Sequence, residues 1–353
     1  MQYDMHYYAT YAMAAAAGIP RADAEVIATA AQFVDDQDVT EWVVCQSQEG
    51  ILGVATAHHP FVAGVRTLHG NGEGNDARAI WVPFHFLPGA EGASFEQKLV
   101  CRKDSKVARR MLDYYVSATT IRSHKEHMLQ LLGIAAHVYA DTFSHYGFSG
   151  ISSDANELDA ESLLIESEHS PTILDHIRRQ REAFEAAFCG MPRLGHGAAL
   201  THPDRPYLKW SFAYKNGERS ERDNRGTFLQ ACEALYGRFV QFAQLYYEGA
   251  VKPLAEWAQL QETVKSIIAR EGKADERAGF WTEAMRNGSL AAAMPACAAY
   301  DCQGWLQQVQ TFKAGDSAGQ FLESDAYGFY VAADYHRNYV LKRLLPSFGL
   351  LVA

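Results

Sequence analysis

The chain reads as an all-α protein, a single large multi-helix domain with two long irregular segments and a helical C-terminal extension. Three observations predict this: apolar residues recur at helical spacing through most of the 353 residues, Gly, Pro and His accumulate in only two stretches, and no internal repeat or low-complexity tract interrupts the pattern. Met5 to Gly18 is rich in alanine and tyrosine and is stopped by Gly18-Ile19-Pro20; Pro20 then starts a second helix over Arg21 to Asp36. On that helix Ala24, Ile27, Ala28, Ala31 and Asp35 share one face, so an apolar stripe ends in a carboxylate that must point inward. Periodicity fades from Glu49 to Gly92, the first irregular segment, where short extended pieces are expected around Ala79 to Phe86 and where Phe61, Trp81, Phe84 and Phe86 favour order. Helices are expected over Phe95 to Tyr115 and Ser123 to Phe148; Ile151 to Ser170 is acidic and starts loop-like. A helix over Leu174 to Phe188 precedes the second irregular segment, Gly190 to Arg225, with its Lys215-Asn216-Gly217 turn. Gly226 to Arg270, Asp275 to Met285, Cys302 to Thr311 and Ser324 to Leu345 complete a helical C-terminal part. The expected organisation is a metal-binding helical domain over 1–225 with 226–353 packed on it as an extension.

At nearly half hydrophobic residues the chain can bury a substantial core. Its net charge of −10 argues against a general nucleic-acid-binding surface, although a cleft holding divalent cations would still attract phosphate. The cysteines Cys45, Cys101, Cys189, Cys232, Cys297 and Cys302 form no CxxC pair, which fits free thiols better than disulfides or a thiolate zinc site. No stretch approaches the roughly 20 continuous apolar residues of a membrane span. Ala12 to Gly18 is too short and too weakly apolar for a secretory core, and no basic region precedes it. The expectation is a soluble, cytoplasmic protein.

The most informative motif is His137-Val-Tyr-Ala-Asp141-Thr-Phe-Ser-His145. Residues four apart lie on one helical face, roughly 6 Å apart along the axis. Asp141 has two oxygens that can reach in opposite directions and so bridge two ions, with His137 completing one and His145 the other. The bland reading is a buried helix whose polar residues satisfy one another. Other histidines cluster rather than scatter: His58, His59, His69 and His85 fall in the first irregular segment, and His196 and His202 in the second. Sets of Asp and His suit zinc.

The order of these residues resembles the trinuclear-zinc phosphoesterases that include bacterial zinc-dependent phospholipase C and the P1-type nucleases. The matching pieces are His6, Asp35 in Ala-Ala-Gln-Phe-Val-Asp35-Asp36, His85 in Val-Pro-Phe-His85-Phe-Leu-Pro, His137 with Asp141, His145, and His196 with His202 or Asp204. They span about residues 1–205 and match in order and residue type. The resemblance implies an all-helical fold, two or three zinc ions and phosphoester hydrolysis. Departures accompany it. The family's mature N-terminal Trp binds metal through its amine and carbonyl, whereas this chain begins Met1-Gln-Tyr-Asp4-Met-His6, leaving Asp4 or the Met1 amine to rebuild that corner. The family's later His lies six residues past the Asp, while His145 lies four past Asp141, and no acid follows His196 at four residues. The segments His6-Tyr-Tyr, Ala-Gln-Phe-Val-Asp-Asp and Leu-Gly-His-Gly-Ala also resemble a bacterial family of unassigned function.

The expected function is therefore a zinc-dependent phosphoesterase acting on a small phosphoester or a phospholipid, with nucleic acid ranked below them. Asp35 is the candidate for orienting the attacking water or binding metal, with Asp36 as fallback. Two enzyme rivals are weaker: Glu166-Ser-Glu-His169 supplies only one of the two ExxH motifs a di-iron bundle needs, and an HD-type phosphohydrolase needs a His-Asp dipeptide, which the chain lacks. The non-catalytic alternative is a helical interaction or effector protein with a structural metal or none, to which the amphipathic Tyr327 to Leu345 lends some support.

Overall fold

The computed structural model describes residues 1–38, 42–57, 77–166, 168–187, 194–315 and 318–352. A π-helical lead-in, Asp4–Ala9, runs directly into helix α1 (Thr10–Ala16), and α2 (Arg21–Asp36) returns beside it. The reversal depends on Gly18, whose φ of +89° is left-handed and whose hypothetical Cβ would sit 2.2 Å from the Lys252 carbonyl oxygen. The remaining longer helices are α3 (Lys106–Tyr115), α4 (Met128–Ser144), α5 (Pro171–Ala187), α6 (Asn224–Tyr246), α7 (Trp257–Ala269), α8 (Ala274–Arg286), α9 (Cys302–Ala314) and α10 (Asp325–Tyr339). Helix α4 is the axis of the molecule. From Gln130 to Ser144 all its residues are buried, as a helix apolar on all sides demands, and α2, α3, α6 and α10 surround it.

The fold is predominantly helical but not all-α, because two small antiparallel sheets are present. Strands β1 (Trp42–Val44) and β2 (Gly50–Leu52) pair Trp42 with Leu52. Strands β3 (Leu164–Ile165), β4 (Lys209–Ala213) and β5 (Arg219–Asp223) form the second sheet, with Ile165 opposite Trp210 and Lys209 opposite Asp223. Helical spacing could not reveal β4: it alternates, burying Trp210 and Phe212 while its other residues stay half exposed. Gly217, at φ +87°, closes the β4–β5 hairpin.

Other boundaries shift for local reasons. The extended piece expected around Ala79 to Phe86 is a π-helix, Ala77–His85, with Pro83 inside it. The expected helix Phe95 to Tyr115 divides into Phe95–Lys98 and α3 because Asp104 is left-handed (φ +47°) and the Ser105 side chain caps a new start by accepting from the Ala108 N–H at 3.1 Å. Gly226 to Arg270 divides into α6 and α7 around the left-handed pair Glu248 and Gly249.

The main apolar core joins α1, α2 and α4 to Phe228, Phe239, Trp281 and Phe329, so it runs continuously across residue 225. A smaller core of Phe86, Phe148, Ile173, Tyr207, Trp210 and Phe212 lies under the three-stranded sheet. Among the described residues no helix is long and apolar enough to cross a membrane.

Candidate metal centre

The centre begins with the close approach of α2 and α4. A Cβ on Gly133 would lie 2.3 Å from the Ile27 carbonyl oxygen and 2.7 Å from Ala30 Cβ, so only glycine lets these backbones come this near. One turn along α4, His137 Nδ1 donates to the Ala31 carbonyl at 2.7 Å. One turn along α2 from Ala31, Asp35 faces the same space, with Oδ1 at 3.8 Å from His137 Nε2 and Oδ2 at 3.9 Å from His6 Nε2. The inward direction expected for Asp35 holds.

Asp141, one turn past His137, is fully buried, and its two oxygens face different groups. Oδ1 lies 3.1 Å from His6 Nε2 and 2.6 Å from the Met1 nitrogen. Oδ2 lies 3.2 Å from His137 Nε2, 3.6 Å from His85 Nδ1 and 3.4 Å from His145 Nδ1. His85 arrives at the end of the π-helix, where its Nε2 donates to the Thr56 carbonyl at 2.8 Å and leaves Nδ1 turned inward. The chain thus supplies the triads His6, Asp35, His137 and His85, His137, Asp141, which share His137.

A third triad is His145, His196 and Asp204. His145 does not serve Asp141 in the way the HxxxDxxxH spacing predicts: its Nδ1 donates to the His85 carbonyl at 2.9 Å, so Nε2 turns to Asp204 Oδ1 at 3.1 Å. His196 donates through Nδ1 to the Leu200 carbonyl at 2.7 Å and presents Nε2 to Asp204 Oδ2 at 3.5 Å. Phe86 stacks on His145 at 4.8 Å and packs against Gly195, whose φ is +56° and whose Cβ would lie 2.3 Å from the Phe86 ring. His85 and His196 therefore both reach the cluster, in different triads.

Charge and hydrogen bonding fit cations. Burial lowers the His6 pKa to about 3, aided by His137 and the Met1 ammonium, so this imidazole is neutral and its lone pair available. Burial likewise lowers His196. Burial opposes ionisation of Asp141, but His145, the Met1 ammonium, His137 and His6 outweigh it and hold the carboxyl well below its ordinary range. Asp204 is depressed in the same manner by His196, the Met1 ammonium and His145. Burial disfavours the Met1 ammonium too, yet Asp141, Asp204 and Asp35 raise its pKa to about 11. The carboxyls of Asp35, Asp141 and Asp204 thus converge on a buried space shared with five imidazoles, His6, His85, His137, His145 and His196. Both ring nitrogens of His6 and Oδ2 of Asp141 are buried with no hydrogen-bond partner among the described residues; the His6 Nε2 to Asp141 contact is close in distance but not aligned as a hydrogen bond. Neighbouring ligands around a tetrahedral zinc with bonds of about 2.0–2.1 Å stand roughly 3.3 Å apart. The 3.1–3.6 Å spacings from Asp141 Oδ2 to His137 and His85 and from Asp204 to His145 and His196 resemble such edges. The outer carbonyls that fix His85, His137, His145 and His196 are the partners that orient ligating imidazoles.

Several candidates lie outside the triads. His202 donates through Nδ1 to the Ala199 carbonyl at 2.8 Å and its ring packs near Trp210, so Asp204 rather than His202 accompanies His196. Asp36 turns away from the cluster to accept from the Tyr300 hydroxyl and from Gln32 Nε2. Asp4 is bound to Arg277, and the Met1 nitrogen occupies the corner offered to Asp4. His169 of the ExxH motif spends Nδ1 on Glu271 Oε1 at 2.6 Å and Nε2 on the Lys209 N–H at 3.1 Å. His58, His59 and His69 lie outside the described residues. What sequence reasoning missed is the set of carbonyls from Ala31, Thr56, His85 and Leu200, since a backbone acceptor leaves no mark in residue type.

No curated protein and no solved structure matches the chain. One family model does, over residues 1–344, and its description is a family of unknown function, DUF6765. That match accords with the resemblance to a family of unassigned function and lends nothing to the phosphoesterase resemblance. Spanning nearly the whole sequence, it shows that the chain belongs to this family.

Proposed function

We propose that the protein is a metal-dependent hydrolase of phosphoesters, working through a cluster of two or three zinc ions held by His6, Asp35, His85, His137, Asp141, His145, His196 and Asp204. The observation that carries the reading is the two-sided setting of the buried Asp141 side chain, whose Oδ1 lies 3.1 Å from His6 Nε2 while Oδ2 lies 3.2 Å from His137 Nε2 and 3.6 Å from His85 Nδ1. Zinc is favoured because the side-chain donors are imidazoles and carboxylates, a set that suits zinc in sites with an open position. When bound, such ions lower the pKa of water and neutralise charge on a phosphoryl group.

The chain's own residues divide the remaining work. Asp35 has the most open side chain of the set, 31% exposed against 1% for Asp141, so it marks the edge at which a substrate and water would enter. There it is placed to orient a water or take its proton. His196, at 18%, is the next most open and lies on the Asp204 side. A small phosphodiester or phospholipid is favoured over nucleic acid, since a chain of net charge −10 repels a long polyanion outside the cluster.

The test is hydrolysis of chromogenic phosphodiesters, phospholipid and single-stranded nucleic acid by protein loaded with zinc. Chelation should abolish turnover and zinc should restore it. Metal-loaded protein inert on every phosphoester would turn the reading to an interaction or effector protein with a structural metal.

A further inference from the structure

All the proposed ligands come from the first 204 residues, yet three buried or half-buried residues of the C-terminal part each grip the chain within two residues of a ligand. Arg277 on α8 is 2% exposed at its side chain and binds Asp4 in a fork, Nε to Oδ2 at 2.8 Å and Nη2 to Oδ1 at 2.9 Å. It also donates to the side chain of Gln2, and its Nη1 is anchored on the Gly272 carbonyl at 2.6 Å. Asp4 is two residues before His6. Tyr300 donates its hydroxyl to Asp36, the neighbour of Asp35. Its N–H donates to the Tyr8 hydroxyl at 3.2 Å and its ring packs on Tyr7 at 5.0 Å, so it touches both segments that flank the first triad. On α10, His336 donates from Nε2 to the Pro83 carbonyl at 2.9 Å and accepts at Nδ1 from the Tyr115 hydroxyl at 3.0 Å. Pro83 is two residues before His85.

We infer that Arg277, Tyr300 and His336 are positioning residues for the metal centre, so that the C-terminal part completes a site to which it gives no ligand. The physical need is clear. His6 and His85 sit on π-helical turns, which lack the regular four-residue ladder that fixes His137 and Asp141 in α4. Their rings must be set by contacts from outside their own segments. A forked Arg–carboxylate pair fixes direction as well as distance, and the Tyr300 hydroxyl and His336 imidazole bonds fix the chain one and two residues from Asp35 and His85. The inference rests on the metal reading above.

The experiment is competitive zinc titration of the full chain, with cobalt(II) absorption as a report on coordination geometry, for the unaltered protein, Tyr300→Phe, His336→Gln and Arg277→Lys. Far-ultraviolet circular dichroism and melting of the metal-free proteins are measured in parallel. Tyr300→Phe removes one oxygen and should leave the metal-free melt nearly unchanged while weakening zinc binding about 10–100-fold, the range for outer-shell partners, and altering the cobalt spectrum. His336→Gln should likewise weaken zinc binding and alter the cobalt spectrum, on the His85 side. If Arg277→Lys does not fold, these two variants decide. Zinc affinity and cobalt spectra equal to the unaltered protein in both would overturn the inference. Failure of the unaltered chain to bind any metal would remove the metal reading itself, a result that no variant is needed to see.

Discussion

Two sides of the candidate centre are built by different means. On the helical side, Asp35, His137 and Asp141 sit one turn apart on α2 and α4, and the Gly133 contact locks the two helices together. On the loop side, His196 and Asp204 come from the stretch before β4 and meet His145, and the His145 and His196 rings are each set by one carbonyl and by packing on Phe86. The helical side gains its precision from the regular hydrogen-bond ladder; the loop side gains it from single contacts. Asp141 belongs to the first and, through the Met1 nitrogen it shares with Asp204, reaches the second.

The largest effect should follow from breaking that junction. Asp141→Asn keeps the shape but loses the charge and one acceptor oxygen. It should weaken metal binding on both sides by more than the roughly 100-fold upper range of outer-shell changes, with helical content retained. Zinc analysis alongside circular dichroism checks this; a full metal complement in the variant would mean that Asp141 bridges nothing. Asp204→Asn should be more selective, removing the ion of the loop side and leaving the helical side occupied. Native mass spectrometry should read one ion fewer, and loss of every ion would show that the two sides are not separable.

A smaller effect is expected at the helix contact. Gly133→Ala must displace the Ile27 carbonyl and Ala30, at about 1–3 kcal/mol in stability. Urea unfolding measures it, and an unchanged midpoint would show that α2 and α4 do not touch as described. The smallest is a pH effect at His336, whose pKa burial lowers to about 4 from the ordinary 6.5. The unfolded chain then binds the proton that the folded chain refuses, so this residue costs stability as pH falls from about 6.5 towards 4 and is neutral above that window. The stability difference between metal-free wild type and His336→Gln should shrink on going from pH 7 to pH 5. A difference that stays flat would contradict a buried neutral His336.

The same contrast explains what the sequence disclosed. The candidate ligands Asp35 on α2 and His137 and Asp141 on α4 were legible because a period of four residues translates directly into a shared face. His85 and His196 were legible by order and type alone, since nothing in their spacing says how a loop folds back. His145 lies 3.4 Å from Asp141, as its spacing suggests, but spacing does not say which nitrogen a ring presents; the His85 carbonyl takes Nδ1 and turns Nε2 to Asp204. The β4–β5 hairpin was hidden in a segment read only for turns, although its Trp210 and Phe212 alternate. The grip of Arg277, Tyr300 and His336 on the ligand segments joins residues more than 200 positions apart, which no local pattern encodes.

The most direct measurement of the central claim is elemental analysis of the purified chain combined with anomalous scattering from its crystals at the zinc edge. The account predicts at least two zinc ions, one among His6, Asp35, His85, His137 and Asp141 and another at His145, His196 and Asp204. No metal, or a single ion away from Asp141, would contradict it.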